Sequence, residues 1–113
     1  MKFHLLIVDD EVAIRKGLSD YINWDAYDCQ VTATASNGKE AIEIIENNNI
    51  DIVLTDIKMP VLDGIGLAEY VYENHPDIAV IILSGYSEFE YAQSAIKYQV
   101  RIYIKACGKR KNY

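Results

Sequence analysis

The segment DIVLTDIKMP, residues 51–60, is an apolar run that ends at a carboxylate, Asp56, with Lys-Met-Pro directly behind it. Proline has no backbone N–H to donate to a neighbouring strand, so Pro60 predicts that the strand stops here. The apolar residues before Asp56 favour a strand that is covered on both faces, as in a parallel sheet. The segment therefore predicts a buried strand that presents an acid at its carboxyl end.

Similar apolar runs alternate along the chain with segments in which apolar residues recur at helical spacing. Such alternation implies right-handed crossovers and an α/β fold with an open, doubly wound parallel sheet, whose ligands bind at the carboxyl ends of the strands. The predicted strands cover residues 3–8, 31–35, 52–55, 78–83 and 100–104. The helical repeats include Ile14 with Leu18 and Ile22, Ala41 with Ile44 and Ile45, Leu67 with Ala68 and Val71, and Tyr91 with Ala95 and Tyr98. Capping boxes are indicated at Asn37 with Glu40 and at Ser87 with Glu90.

The composition is that of one globular domain: 113 residues, of which 50% are hydrophobic and 25% are charged. No apolar run approaches the roughly 20 residues that a membrane-spanning helix needs, and the first residues do not resemble a signal peptide. Cys29 and Cys107 lie far apart without metal-ligand spacing, which is typical of reduced thiols. We therefore expect a cytoplasmic protein without a membrane segment.

The charge is divided unevenly along the chain. Residues 1–100 hold all 17 acids and six bases, a formal charge of −11, whereas residues 101–113 hold five bases and no acid. The acidic body is unsuited to contact nucleic acid directly. We therefore predict a domain body at 1–100 and an atypical basic tail at 101–113.

Polar residues follow three of the predicted strands: Asp9 and Asp10 the first, Asp56 the third, and Ser84 the fourth. At the carboxyl edge of one sheet these carboxylates would repel each other, by roughly 4 kcal/mol for a pair about 4 Å apart. A divalent cation relieves that repulsion, and an all-oxygen site suits Mg²⁺. A metal, a nucleophilic carboxylate and a hydroxyl together indicate phosphoryl transfer.

Each of these signals also has a purely structural interpretation. Asp9 and Asp10 could cap the next helix, and Ser84 with Gly85 could form a turn. The Lys58-Met59-Pro60 segment could do no more than end a strand. The case for a site depends on the order and spacing of all the signals together.

The segments LLIVDDE, DIVLTDIKMPVLDGIGL and VIILSGYSEFEYAQSAIKY resemble the response-regulator receiver domain of two-component signalling, and the resemblance covers about residues 3–100. It implies a flavodoxin-like fold with a five-stranded sheet in the order 2-1-3-4-5. It also implies that Asp56 accepts a phosphoryl group from a sensor histidine kinase. Mg²⁺ would be bound by Asp9, Asp10, Asp56 and the backbone carbonyl of Lys58.

The resemblance further implies a switch in which the Ser84 hydroxyl binds the phosphoryl oxygens and the aromatic ring of Tyr103 follows it inward. Lys105 would contact the phosphate, and Lys58 and Tyr86 correspond to positions that tune the phosphate lifetime. The segment YINWDAYDCQV resembles a subgroup with an arabinose-regulator-type helix-turn-helix output domain, through which DNA would be bound. Trp24 in that segment could equally be a large side chain that covers the core.

Two other functions stay open at this point. One is a receiver-shaped interaction module that no longer switches, because its phosphate-contacting lysine and its final helix both depart from the family pattern. The other is a Mg²⁺-dependent phosphatase of the haloacid dehalogenase group, which carries Asp-x-Asp on its first strand. The VDDE segment lacks that spacing, and the candidate nucleophile is on the third strand.

The tail departs from the receiver pattern, in which the fifth strand ends in Asp-Tyr-Ile-Leu-Lys-Pro before a fifth helix. Here Lys105 comes two positions after Tyr103 rather than three, and Ala106 replaces the proline. A slip of one residue turns a strand side chain to the other face, so Lys105 reaches the phosphate only if the preceding loop absorbs the difference. Loss of the fifth helix would uncover apolar surface, and we expect a destabilised monomer that forms homodimers or exchanges elements.

We predict that the tail from about residue 99 is translated in a shifted reading frame. Back-translation from Arg101, read one base later, permits Glu-Tyr-Ile-Leu-Lys-Pro-Val-Glu-Lys-Glu-Lys-Ile, which restores the family pattern and explains the reversal of charge. Nucleotide sequencing tests this prediction. Codons incompatible with the shifted reading would leave the alternative, a natural basic tail.

Overall fold

The computed structural model describes residues 1–84 and 101–104, the latter and Ser84 by their backbone alone. These residues form one parallel β-sheet with helices packed on its two faces. The strands are β1 (Phe3–Val8), β2 (Cys29–Ala35), β3 (Ile52–Asp56), β4 (Ala79–Ser84) and β5 (Arg101–Ile104); the helices are α1 (Val12–Tyr21), α2 (Gly38–Asn47) and α3 (Gly64–Asn74), with a short 3₁₀-helix at Trp24–Tyr27.

The strand order is β2-β1-β3-β4-β5, and every neighbouring pair is parallel. This confirms the predicted flavodoxin-like, doubly wound fold. The crossovers from β1 to β2 and from β2 to β3 run in opposite directions along the sheet, so a switch in strand order lies at the carboxyl ends of β1 and β3. In sheets of this kind the switch point opens a crevice at those ends, where ligands bind.

The larger core lies between the sheet and the two helices α2 and α3. Leu6, Val8 and Val53 on the strands are fully buried, and so are Ala41 and Leu67 on the helices. At about 25 cal/mol per Å² of apolar surface, this burial supplies most of the stability of such a domain. The predicted helical repeats at Ala41 and Leu67 therefore face the core.

The core on the other face is smaller and is built around Leu5, Ile7 and Leu54. Leu18 of α1 and Trp24 pack against it, and the Trp24 indole Nε1–H donates to the backbone oxygen of Leu18 at 2.8 Å. Trp24 thus covers the edge of this core, as its structural interpretation predicted. Unlike α2 and α3, helix α1 has no fully buried residue.

Strand β2 departs from the two-faced burial predicted for most strands, because it forms an edge of the sheet and its side chains alternate between buried and exposed. The register with β1 shifts between Leu5 and Leu6, which pair with Val31 and Ala33 and leave Thr32 as the extra residue. The Thr32 hydroxyl contacts the ring Nδ1 of His4 at 2.9 Å. A bulge of this kind twists an edge strand and disfavours edge-to-edge pairing.

Several predictions fall on other parts of the chain. The capping box at Ser87, the helical repeat from Tyr91 to Tyr98, and residues 105–113, where a fifth helix was expected to be missing, lie outside the described residues. Residues 101–104 continue the sheet as β5, beside β4. In the part of the chain that the structure describes, no helix is long and apolar enough to cross a membrane.

The start of α2 shows a modified capping box. Asn37 Oδ1 accepts the Glu40 N–H at 2.8 Å, as the sequence predicts. The Glu40 carboxylate, however, accepts from the backbone N–H of Ser36 at 2.5 Å and from its hydroxyl at 3.0 Å. The Ser36 hydrogen bonds lower the pKa of Glu40 from its ordinary value of 4.5, and the positive charge of Arg15 lowers it further.

Replacing Glu40 by glutamine should make the stability of the protein less dependent on pH. Since folding lowers the pKa of Glu40, its contribution is fully present above the unfolded-state value and is lost as the pH falls through the lowered folded-state value. Thermal unfolding from about pH 7 to about pH 3 measures this: Glu40→Gln should be less stable than wild type at neutral pH and approach it in acid.

The matched control is Glu43→Gln, which removes the same charge from the exposed face of the same helix. A stability difference between wild type and Glu40→Gln that stayed constant across the whole pH range would contradict the prediction.

Candidate functional site

The structure brings three of the predicted acids together at the carboxyl edge of the sheet. Asp9 and Asp10 directly follow β1, and Asp56 is the last residue of β3. Val8 pairs with Thr55 in the parallel register of these strands, so Asp9 and Asp56 are the next residues in line. One carboxylate oxygen from each acid lies within 4.8 Å of the other two.

The three acids differ in their exposure to solvent. Asp9 is buried at 2% exposure, Asp56 is half-buried and Asp10 is exposed. At such separations two ionised carboxylates repel by about 3 kcal/mol at an effective dielectric constant of about 20. A cluster of carboxylate oxygens with one exposed member suits a hard divalent cation that keeps part of its water shell.

Backbone N–H groups orient two of these carboxylates. Asp9 Oδ1 accepts the N–H of Glu11 at 2.9 Å, and Asp56 Oδ1 accepts the N–H of Ile57 at 2.8 Å. Helix α1 begins at Val12, and its N-cap residue is Glu11, whose own side chain makes no capping hydrogen bond. Neither Asp9 nor Asp10 is the N-cap residue, but the Asp9 carboxylate accepts the N–H of Glu11 directly before the helix.

The backbone of Asp9 is held on both sides. Its N–H donates to the carbonyl of Ala35, the last residue of β2, at 3.0 Å. Its carbonyl accepts from Arg15 Nη1 at 2.7 Å. In the sequence Arg15 is one of six bases in the acidic body. Its place in a predicted helix, six residues after Asp9, is the sequence signal that its side chain could turn back towards the site.

The loop after β3 alternates between the core and the solvent. Ile57 and Met59 are buried, whereas Lys58 between them is exposed. The loop then forms a γ-turn, in which the N–H of Leu62 donates to the Pro60 carbonyl at 2.8 Å and Val61 has φ 72°. A β-branched residue is disfavoured at positive φ, so the sequence could not predict this conformation.

Gly64 allows the start of α3 to approach the end of β3. Its N–H donates to the Ile57 carbonyl at 2.7 Å, and a Cβ atom here would lie 2.2 Å from the Asp56 carbonyl oxygen. The buried Thr55 hydroxyl donates to that same Asp56 oxygen at 2.8 Å. Only glycine permits this approach, which fixes the backbone beneath the Asp56 carboxylate. The sequence reasoning missed Gly64, although its place in an Asp-Gly step after the strand was a signal.

The other predicted site residues are placed only by their backbone or not at all. Ser84 is the last residue of β4, one position beyond Leu83, which pairs with Asp56. Tyr103 pairs with Leu83 from the β5 side. Ser84 therefore lies at the same edge of the sheet as the three acids, and Lys105 lies outside the described residues.

A comparison with known protein families decides the assignment. The model of the response regulator receiver domain matches residues 5–111, nearly the whole chain. The chain belongs to the response regulator receiver domain family. The match includes most of the 101–113 segment, and a shifted reading frame in that segment stays a prediction.

Relatives of this receiver domain are named as transcriptional regulators. YesN of Bacillus subtilis is 39% identical over 109 residues, which is 96% of this chain and 30% of YesN. HptR of Staphylococcus aureus is 39% identical over 102 residues, which is 90% of this chain and 40% of HptR. The chain thus spans less than half the length of these curated relatives.

Solved structures show the same fold. The receiver domain of AraT from Geobacillus stearothermophilus has a TM-score of 0.87 and 39% identity, over 93% of this chain and 82% of that chain. A two-component transcriptional regulator AraC from Clostridium phytofermentans has a TM-score of 0.80 and 40% identity, over 92% of this chain and 81% of that chain. A chain of the CheX–CheY–BeF3–Mg²⁺ complex of Borrelia burgdorferi has a TM-score of 0.80 and 30% identity, over 92% of this chain and 78% of that chain.

Gly64→Ala should destabilise the receiver domain by about 1–3 kcal/mol, because the added Cβ forces α3 away from the Asp56 carbonyl. Thermal unfolding should show a fall in Tm of at least about 4 °C. Gly17→Ala is the matched control: it lies within α1, where a Cβ would only touch Tyr21 Cδ2 at 3.8 Å, and should stabilise by up to about 1 kcal/mol. A Gly64→Ala variant as stable as wild type would contradict this account of the loop.

Proposed function

We propose that this receiver domain accepts a phosphoryl group on Asp56 from a sensor histidine kinase, in a reaction that requires Mg²⁺. The observation that carries the proposal is the cluster of Asp9, Asp10 and Asp56, whose carboxylate oxygens lie within 4.8 Å of one another. The presence of BeF3 and Mg²⁺ in the related Borrelia burgdorferi complex supports it. The chain would act as a signalling phosphoacceptor rather than as an enzyme that turns over a substrate.

The donor set of the site fits Mg²⁺. It offers oxygen ligands only, and the exposed Asp10 leaves room for water ligands, which Mg²⁺ gives up reluctantly. Asp9, Asp10, Asp56 and the backbone carbonyl of Lys58 are the residues that would hold the ion. When bound, Mg²⁺ would offset the negative charge of the carboxylates and of the incoming phosphoryl group.

Asp56 is the nucleophile in this proposal. Its Oδ1 is fixed by the N–H of Ile57 at 2.8 Å, and Gly64 and Thr55 hold the backbone behind it. A carboxylate oxygen attacks the phosphorus of the kinase phosphohistidine and forms a P–O bond while the P–N bond breaks. The electron pair of that bond stays on the imidazole, and Asp56 carries an acyl phosphate.

The response of the domain would begin at the neighbouring strands. An aspartyl phosphate adds negative charge and strong acceptor oxygens at the edge where β4 ends. The Ser84 hydroxyl would donate to one of those oxygens, and Tyr103 on β5 would follow it inward. Lys105 would add a charge-assisted contact if its register allows. The surface around β4 and β5 would change and alter a partner contact.

The readout we propose is transcriptional. The relatives YesN and HptR are named as transcriptional regulators, and this chain covers 30% and 40% of their lengths. We infer that the receiver controls a DNA-binding part of a longer protein, of the arabinose-regulator type. The acidic body, with its formal charge of −11 over residues 1–100, would not contact DNA itself.

Incubation with acetyl phosphate and Mg²⁺, followed by intact-mass measurement, tests the proposal. Wild type should gain about 80 Da, and this gain should disappear in Asp56→Asn and after chelation of Mg²⁺. Asp77→Asn is the matched control, since it makes the same change at an exposed position where the chain enters β4, at the opposite edge of the sheet.

Other outcomes separate the alternatives. A folded wild-type protein that stays unmodified would contradict the proposal and favour an interaction module that does not switch. Rapid, continuous hydrolysis of p-nitrophenyl phosphate would favour a phosphatase, although the position of Asp56 on β3 argues against the phosphatase group with its nucleophile on the first strand.

A further inference from the structure

Arg15 connects α1 to the turn that carries two of the acids. It is half-buried, and its Nη1 donates to the carbonyl of Asp9 at 2.7 Å. The N–H of Asp9 donates to Ala35 and its Oδ1 accepts from the N–H of Glu11, so the hydrogen bond from Arg15 adds a contact at the Asp9 carbonyl. Asp10 is attached to that same carbonyl carbon, so a rotation of this peptide unit would move both acids.

Arg15 also connects this turn to the neighbouring strand. Its charge lies near the Glu40 carboxylate, which binds both the N–H and the hydroxyl of Ser36. Ser36 directly follows Ala35, whose carbonyl accepts the N–H of Asp9. Arg15 on α1 and Glu40 on α2 thus attract each other electrostatically near the ends of β1 and β2.

The positive charge of Arg15 is electrostatically unfavourable beside a cation site, so its presence there calls for another role. A guanidinium beside an acidic cluster repels an incoming Mg²⁺ and reduces its affinity. The hydrogen bond to the Asp9 carbonyl offers that second role, because groups outside the ligand set commonly orient the ligands of a metal.

We propose that Arg15 is a positioning residue that holds the β1–α1 turn so that Asp9 and Asp10 face Asp56 and bind Mg²⁺. The inference rests on the proposed function, since it concerns the same Mg²⁺ site. In this role Arg15 would act through the Asp9 carbonyl and would not itself be a ligand of the ion.

The sign of the effect on Mg²⁺ affinity separates this role from simple electrostatics. If Arg15 acts only through its charge, Arg15→Met removes a repulsive cation and Mg²⁺ binds more tightly. If Arg15 positions the turn, the same substitution weakens binding by about tenfold or more, as is usual when a residue that supports metal ligands is removed.

Lys16 provides the matched control. It is the next residue of the same helix and carries the same charge, but it is exposed and pairs with Asp20 at 3.9 Å along the helix surface. Lys16→Met should leave the Mg²⁺ dissociation constant within about twofold of wild type, or tighten it slightly, because it removes a screened surface charge.

The experiment measures Mg²⁺ binding to the full chain by isothermal titration calorimetry, together with thermal unfolding and circular dichroism of each variant. Arg15→Met should stay folded well above the titration temperature and bind Mg²⁺ at least about tenfold more weakly. A residue that only stabilises the fold would lower Tm without weakening Mg²⁺ binding to the folded protein.

Arg15→Lys keeps the charge but loses the planar, multiply donating guanidinium. We expect it to bind Mg²⁺ about threefold or more weakly than wild type, whereas a role through charge alone predicts wild-type affinity. If Arg15→Met does not fold, this variant decides: weaker binding supports the positioning role, and wild-type affinity overturns it.

The outcomes also distinguish failure of this inference from failure of the proposed function. If wild type binds Mg²⁺ and Arg15→Met binds it equally well or more tightly, the role of Arg15 is overturned. The phosphoacceptor proposal is then left standing. Wild type that binds no Mg²⁺ overturns the proposed function, and the role of Arg15 with it.

Discussion

The parallel register between β1 and β3 is the constraint on which the site depends. Because Val8 pairs with Thr55, the residues that follow, Asp9 and Asp56, must emerge side by side at one edge of the sheet. Their carboxylates are held there against mutual repulsion by the hydrophobic cores on the two faces of the strands. The stability of the sheet therefore allows this receiver domain to concentrate negative charge, which is the basis of the proposed Mg²⁺ site.

The backbone around this acidic edge is held by close contacts and by buried side chains. Gly64 brings the first turn of α3 against the Asp56 carbonyl, and Val61 occupies a γ-turn with positive φ that a β-branched residue disfavours. The burial of Ile57 and Met59 on either side of Lys58 stabilises that conformation. Strain of this kind is typical of functional loops, where position matters more than local preference.

The two faces of the sheet contribute unequally to the support of the site. Helices α2 and α3 bury at least two side chains each, whereas α1 buries none of its residues fully and meets a small core around Leu5, Ile7 and Leu54. Helix α1 is nevertheless the element that follows Asp9 and Asp10. On this side the hydrogen bond from Arg15 to Asp9 therefore adds a polar contact to the limited packing.

The sequence alone determined the fold and the identity of the acids, because apolar runs, helical periodicity and the places where strands stop are local properties of the chain. Asp9, Asp10 and Asp56 could be named, and so could the Asn37 cap and the core positions Ala41 and Leu67. Only the tertiary structure decided which groups hold those acids in place. The bond from Arg15 to the Asp9 carbonyl, the approach of Gly64 to Asp56 and the bulge at Thr32 join elements whose relative positions no local pattern encodes.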